Sequence, residues 1–155
     1  MKRQRIRLGD CADQAIKSLA GRIEETNAEI TRDPLPEIWG DPTMITQLYQ
    51  NLIGNALKFI PDDRRPEIHL TSTEVDGRIV FGVRDNGIGI KSKYMDQVFA
   101  PFKRLHGRSE YDGSGIGLAI CRKTIERHEG SLWADSQPGK GSHFKFTIGQ
   151  PATET

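Results

Sequence analysis

Glu67-Ile68-His69-Leu70-Thr71-Ser72-Thr73-Glu74-Val75-Asp76-Gly77-Arg78-Ile79-Val80-Phe81-Gly82-Val83-Arg84-Asp85 is the stretch that decides the fold. Two runs rich in β-branched and aromatic residues, 67–74 and 78–85, flank an Asp-Gly pair. That pattern predicts an antiparallel hairpin, because Asp-Gly accommodates the positive-φ turn that joins two strands. Just upstream, Asp41-Pro42 predicts a helix start, a capping residue followed by proline in the first turn. This helix is expected to run to about Phe59 and to stop before Pro61. Downstream, Ile116–His128 predicts a helix with Gly130 as its stop. A second hairpin follows, 131–136 and 142–148, around Pro138-Gly139-Lys140-Gly141. Toward the N-terminus, Arg5–Leu8 reads as a short strand and Ala28–Arg32 as another, ended by Asp33-Pro34-Leu35-Pro36. Between them Asp10 is expected to cap one helix with the apolar stripe Ala12, Ala15, Ile16, Leu19, Ala20 and Ile23.

Strands thus alternate with three substantial helices. The expected fold is an α/β two-layer sandwich, a mixed, mostly antiparallel sheet of about five strands covered on one face by three helices. One domain is expected over 1–150, with 151–155 as a tail. Residues 90–114 are irregular, with a short helix expected near 92–98, and a loop of that length in a compact domain is commonly a binding segment or lid.

Composition narrows the class. The chain has 155 residues, long enough for a single core. Lys and Arg total 22 against 21 for Asp and Glu, so no bulk field points to nucleic acid or to an anionic membrane. No apolar run approaches the roughly 18 residues of a membrane span. Cys11 and Cys121 share no metal-ligand spacing, and the four histidines are scattered. The expectation is a reduced, cytoplasmic setting.

Four patches carry chemistry. In Asn51-Leu52-Ile53-Gly54-Asn55-Ala56-Leu57-Lys58-Phe59, Leu48, Leu52 and Ala56 form a buried helix face. Asn51 and Asn55 stack on an adjacent one, with Lys58 and Phe59 a turn further on. Asparagine costs a helix interior roughly half a kcal/mol against alanine. Its carbonyl is a hard oxygen donor suited to Mg²⁺. A solvated polar face would explain this helix alone equally well. In Asp85-Asn86-Gly87-Ile88-Gly89, Asp85 shares parity with Ile79, Phe81 and Val83, so it points to the apolar side at a strand end. A carboxylate there needs donors, and the exocyclic amino group of adenine is one. Guanine presents a carbonyl at that position. Taken alone, Asp-Asn-Gly is also an ordinary turn. Phe99-Ala100-Pro101-Phe102 could anchor a loop to the core, and Lys103, Arg104 and Arg108 follow as candidate phosphate contacts. Gly113-Ser114-Gly115-Ile116-Gly117-Leu118 opens a helix, whose free N–H groups and dipole favour phosphate. No Walker A pattern occurs, and no strand directly precedes these glycines as a Rossmann motif requires.

In order and over nearly the whole chain, the four patches resemble the N, G1, F and G2 boxes of the sensor histidine kinase catalytic and ATP-binding domain, a GHKL fold. Gly139-Lys140-Gly141-Ser142-His143-Phe144 resembles the closing glycine motif. The stretch 102–130 is similar to phytochrome-type kinases. The resemblance implies ATP and Mg²⁺ as cofactors, with Asn55 as the Mg²⁺ ligand and Asn51 assisting near the phosphates. It implies that Lys58 meets phosphate and that Phe59 lines the nucleotide. Asp85 would bind the adenine amino group in a pocket shaped by Gly87, Gly89 and Ile90, and Gly113, Ser114, Gly115, Ile116, Gly117 and Leu118 would cradle phosphates. Phe99, Phe102, Lys103, Arg104 and Arg108 would belong to the lid.

Two departures sharpen the expectation. The family's phosphoacceptor histidine sits in a dimerisation domain, in a motif like His-Glu-x-Arg-Thr-Pro, and no histidine here has those neighbours. The chain therefore resembles a fragment that begins after the dimerisation helices. It is expected to be monomeric within a homodimeric whole, with that domain and a response regulator as partners. GHKL ATPases of the gyrase, mismatch-repair and heat-shock chaperone kind, and anti-sigma-type serine kinases, place a glutamate four residues before the Mg²⁺ asparagine to activate a nucleophile. Here that position is Asn51, an amide that takes no proton, which argues for phosphoryl transfer over hydrolysis. A degenerate scaffold that binds no nucleotide is the rival from another class.

Overall fold

The computed structural model describes residues 1–89 and 116–150. Among them the elements run β1 (Gln4–Arg7), α1 (Leu8–Ser18), α2 (Ala20–Thr26), β2 (Glu29–Arg32), β3 (Glu37–Gly40), α3 (Pro42–Lys58), β4 (Glu67–Val75), β5 (Arg78–Asp85), α4 (Ile116–Arg127), β6 (Leu132–Gln137) and β7 (Gly141–Phe146). The main sheet has five strands in the order β2-β4-β5-β7-β6, and β1 pairs with β3 in a separate two-stranded ribbon. Only β2 and β4 run parallel; the other pairs of the main sheet are antiparallel. The two-layer sandwich expected from the sequence is the observed architecture.

The β4–β5 hairpin forms as its Asp-Gly signal requires. Asp76 and Gly77 both take positive φ, 52° and 80°, the twist that matches two right-handed strands. Its register pairs Leu70 with Val83 and Ser72 with Phe81. Continued across β7, Val83 pairs with Phe144 and Phe81 with Phe146, so one face of the sheet is apolar. Ile45, Leu48, Tyr49, Leu52, Ile53 and Ala56 of α3 pack on that face, joined by Leu8, Ala12 and Ala15 of α1 and Cys121 and Ile125 of α4. The opposite face is polar. One row across all five strands reads Thr31, His69, Arg84, His143 and Asp135. Gly82 leaves the room in which Thr71 Oγ1 and His143 Nε2 meet at 2.9 Å.

Several boundaries differ from expectation. The helix expected from Asp10 to Ile23 is two helices, broken at Leu19 (φ −103°, ψ 11°). Asp10 is not its cap: Leu8 already opens α1, Arg7 stands at the cap without a side-chain bond, and Asp10 lies in the first turn. The strand expected over 5–8 accordingly ends at Arg7. Strand β3 was not anticipated. It is four residues caught between Pro36 and Asp41-Pro42, and its partners in β1 are 30 to 36 positions away. Gly130 does not supply the left-handed residue that ends α4. Glu129 does (φ 59°), donating its N–H to Glu126 O, while the Gly130 N–H reaches Ile125 O. Gly130 is required by crowding instead, because a Cβ there would collide with Thr147 O.

Candidate functional site

Helix α3 carries the amides because its ends are fixed. Asp41 caps it, accepting from Met44 N at 3.0 Å, and Phe59 N closes the last turn on Asn55 O at 2.9 Å. Leu48, Leu52 and Ala56 are buried, whereas Asn51, Asn55, Lys58 and Phe59 are half-buried along its margin. The two asparagines thus share one polar edge beside the core, as their spacing predicts.

Helix α4 lies antiparallel to α3. Near its C-terminus, His128 Nε2 accepts from the N–H of Asp41, at the start of α3, at 3.0 Å. Further back, Cys121 Sγ faces Leu48 O in mid-helix. The first turn of α4, with Ile116, Gly117 and Leu118, therefore lies toward the Asn55 end of α3. Leu118 packs against the core. Burial pushes the Cys121 thiol up to about 12, opposed by a hydrogen bond from the Asn51 side chain. The sulfur is a poor acceptor, and the buried Asn51 Nδ2 finds no oxygen or nitrogen partner among the described residues. Cys121 was not anticipated beside the site; its place follows from the helix pairing alone.

Asp85 sits at the end of β5, opposite Ile68 and in line with Val83 and Phe81, on the apolar side as its parity predicts. Its Oδ1 accepts from Gly87 N at 2.8 Å and from Ser142 N at 3.2 Å. Both donors use the same oxygen, and no described residue hydrogen-bonds Oδ2. Burial pushes the carboxyl up to about 6, opposed by the N–H groups of Gly87 and Ser142. Among the described residues the group is thus desolvated and satisfied at one oxygen, an arrangement that suits a donor on a ligand.

The glycines around it are dictated by close approach. A Cβ on Gly87 would collide with Phe59 O, and one on Gly141 with Asp85 O. Gly89 takes φ 74°, and a Cβ there would strike Gln137 O in the β6–β7 turn. The 86–89 loop is thereby pressed between the end of α3 and that turn. Ile88 N donates to Phe59 O at 3.0 Å and Gly139 N to Ile88 O at 2.7 Å. Asn86 fixes the other side, its Oδ1 accepting from Glu67 N at 2.8 Å and its Nδ2 donating to Arg65 O at 3.0 Å. Carboxylate, amide helix and α4 start therefore border one region, although they come from distant parts of the chain. Ser142 and Arg64 belong to it too. The glycine motif around Ser142 signalled its neighbourhood, and nothing in the sequence signalled Arg64.

Ile90, Phe99, Phe102, Lys103, Arg104, Arg108, Gly113, Ser114 and Gly115 lie outside the described residues, as do the helix expected near 92–98 and the tail 151–155. No described helix is long and apolar enough to cross a membrane. An amide oxygen at Asn55 on a polar helix edge fits a hard cation that takes its remaining ligands from phosphate and water.

Comparison with known proteins is concordant. Residues 40–152 match the family described as Histidine kinase-, DNA gyrase B-, and HSP90-like ATPase. The chain is 49% identical over 136 residues to Cyanobacterial phytochrome A of Nostoc sp. (strain PCC 7120), covering 88% of this chain and 18% of that protein. The nucleotide-free catalytic domain of histidine kinase ThkA superposes with a TM-score of 0.81 at 25% identity, over 97% of each chain. Full-length ShkA in complex with AMPPNP gives 0.79 at 26% identity, over 97% of this chain and 32% of that one. The matching residues include α3, Asp85 and the glycines that enclose it, and on that ground the chain belongs to the histidine kinase-, DNA gyrase B-, and HSP90-like ATPases.

Proposed function

We propose that this chain is the ATP-binding catalytic domain of a two-component sensor histidine kinase. It holds Mg-ATP and presents the γ-phosphoryl to a histidine on a dimerisation domain of the same full-length protein, from which a response regulator is then phosphorylated. The observation that carries this reading is the Asp85 carboxylate. It is half-buried on the apolar side of β5, beside the amide edge of α3, and among the described residues its donors meet one oxygen and leave the other. Such a group accepts from a base that presents an exocyclic amino donor, as adenine does at the position where guanine has a carbonyl. The nucleotide analogue bound by ShkA is in accord with it.

Asn55 is the proposed Mg²⁺ ligand and Asn51 its neighbour toward the phosphates. Lys58 would meet phosphate and Phe59 the nucleotide. The roles of Lys103, Arg104, Arg108 and the 113–118 glycine segment in closing over phosphate rest on the sequence pattern. Mg²⁺ would bridge and neutralise phosphate oxygens, and the rest of the catalytic work is positioning. An amide at position 51 cannot take a proton from water, so hydrolysis is the poorer reading.

Calorimetry with ADP and Mg²⁺ tests it. Binding near millimolar or tighter is expected, and its absence would sink the reading. In the Asn55→Ala variant the gain in ATP affinity that Mg²⁺ provides should shrink. Equal metal dependence in variant and parent would remove Asn55 from the metal.

A further inference from the structure

The geometry points to Arg64 as the positioning residue of base recognition, a guanidinium that holds the Asp85 carboxylate in its binding orientation through the backbone of Asn86 and Gly87. Arg64 lies in the loop between α3 and β4, where its own N–H closes a turn on Pro61 O at 3.0 Å. Its Nη1 donates to Asn86 O at 2.6 Å and to Gly87 O at 3.1 Å.

Those two carbonyls belong to two successive peptide planes, and each plane is gripped at both ends. The 86–87 peptide has Arg64 on its carbonyl and Asp85 Oδ1 on its N–H, at 2.8 Å. The 87–88 peptide has Arg64 on its carbonyl and Phe59 O on its N–H, at 3.0 Å. A planar peptide cannot turn one end without the other. One side chain thus fixes the direction in which Gly87 N–H meets the carboxylate, and ties the same loop to the last turn of the amide helix. A cationic donor on a carbonyl also polarises the peptide, which strengthens the hydrogen bond made by the N–H at its far end. Gly87 N–H is one of two groups that work against burial at Asp85, the other being Ser142 N–H. The described hydrogen bonds of the Arg64 guanidinium go to these two carbonyls and not to the carboxylate. Arg64 acts by keeping Oδ1 occupied, and so leaves Oδ2 for the ligand.

The inference rests on Asp85 being the base-recognition group. It is tested with Arg64→Ala and Arg64→Lys. Arg65→Ala is the control, since the Arg65 guanidinium reaches Asn27 O and Glu29 and only its backbone carbonyl faces Asn86. ADP affinity is measured from pH 5 to 8 for each folded variant. Arg64→Ala should bind ADP about tenfold more weakly at neutral pH. The pH at which affinity falls to half should also rise by roughly half a unit, because weakening Gly87 N–H removes support for the ionised carboxylate. Arg64→Lys keeps a cationic donor and should recover most of that midpoint shift, and Arg65→Ala should match the parent. Titration of the ADP phosphates is common to all the curves and cancels in the comparison.

A midpoint unchanged in Arg64→Ala, whatever happens to affinity, would overturn the inference, because mere loosening of the loop lowers affinity equally at every pH. If Arg64→Ala does not fold, Arg64→Gln decides in its place. It keeps a neutral donor without the charge that polarises the two peptides, and a midpoint identical to the parent's would overturn the inference. Failure of the parent protein to bind ADP would instead refute the reading of the whole site.

Discussion

Asp85 shows how one residue can cost the fold and serve the site. Its carboxyl is pushed up to about 6 from an ordinary 3.8, chiefly by burial. The native state therefore holds this proton at pH values where the unfolded chain has released it. The stability contributed by the protonated form is fully present below about 4 and is lost as pH rises to about 6, so at neutral pH the empty site carries a poorly solvated charge. A ligand donor would offset that cost. Adenine nucleotide affinity is thus expected to be level above neutral pH and to fall on acidification through about 6, as protonation removes the acceptor. Asp85→Asn presents an N–H where the base also presents one. It should weaken ADP binding by roughly 1.5–3 kcal/mol at pH 7 and flatten the acid limb. The empty variant should unfold at a higher denaturant concentration than the parent at pH 7. Calorimetry across pH and a denaturant titration check both signs, and unchanged ADP affinity would refute the role given to Asp85.

At the scale of elements, α3 was legible in the sequence and its surroundings were not. Asp41-Pro42 marks its start because capping and a preset φ are local effects, and Leu48, Leu52 and Ala56 mark its buried face by spacing. The β4–β5 hairpin was legible for the same reason. The break at Leu19 was not, since neither glycine nor proline stands there and the apolar stripe runs on through Ile23. Strand β3 was hidden because its partner is far away in sequence. Ser142 lies 57 positions from the carboxylate it serves, and only the β5–β7 pairing brings it there. Asp41 shows what local reading misses even where it succeeds. Besides Met44 N, it accepts from Lys2 N at 2.9 Å, and its own N–H goes to the buried His128. Burial works to raise the Asp41 carboxyl, but the backbone N–H groups of Met44, Lys2 and Thr43 outweigh it and hold the group below its ordinary value. One cap therefore joins α3 to the residues just before β1 and just after α4. Asp41→Ala should cost about 1–2 kcal/mol, read from the denaturant midpoint. Asp41→Asn keeps an oxygen acceptor and should cost less. Equal losses in the two variants would show that the one oxygen asparagine retains does not hold the cap, and that the second oxygen or the charge does.

For the whole molecule, the sheet's two faces divide the labour. The apolar face supports α3 and α4, whose antiparallel packing sets the amide edge against a helix start, while the β5–β7 pairing brings Ser142 to the Asp85 carboxylate. Asn51 and Cys121, described residues on the amide edge, supply neither a base nor a thiolate. Asn51 takes no proton, and burial has driven the Cys121 thiol next to it up to about 12. The chain spans 18% of the length of the phytochrome it resembles. On the proposed function the site would orient a phosphoryl group for an acceptor on another domain, and transfer would depend on docking as much as on binding. With radiolabelled ATP and Mg²⁺, the isolated chain is expected to label neither itself nor water at an appreciable rate. Adding the histidine-bearing dimerisation domain of the same full-length protein should give a phosphoprotein whose label is lost in acid and kept in base, as for a phosphoramidate. Asp85→Asn should lower that labelling at subsaturating ATP and restore it as ATP is raised, because the residue acts in binding. Asn55→Ala should lower it even at saturation, because the metal acts on the phosphates during transfer. Rapid phosphate release by the isolated chain would instead favour an ATPase, and acid-stable label on the added domain would favour a hydroxyl acceptor over histidine.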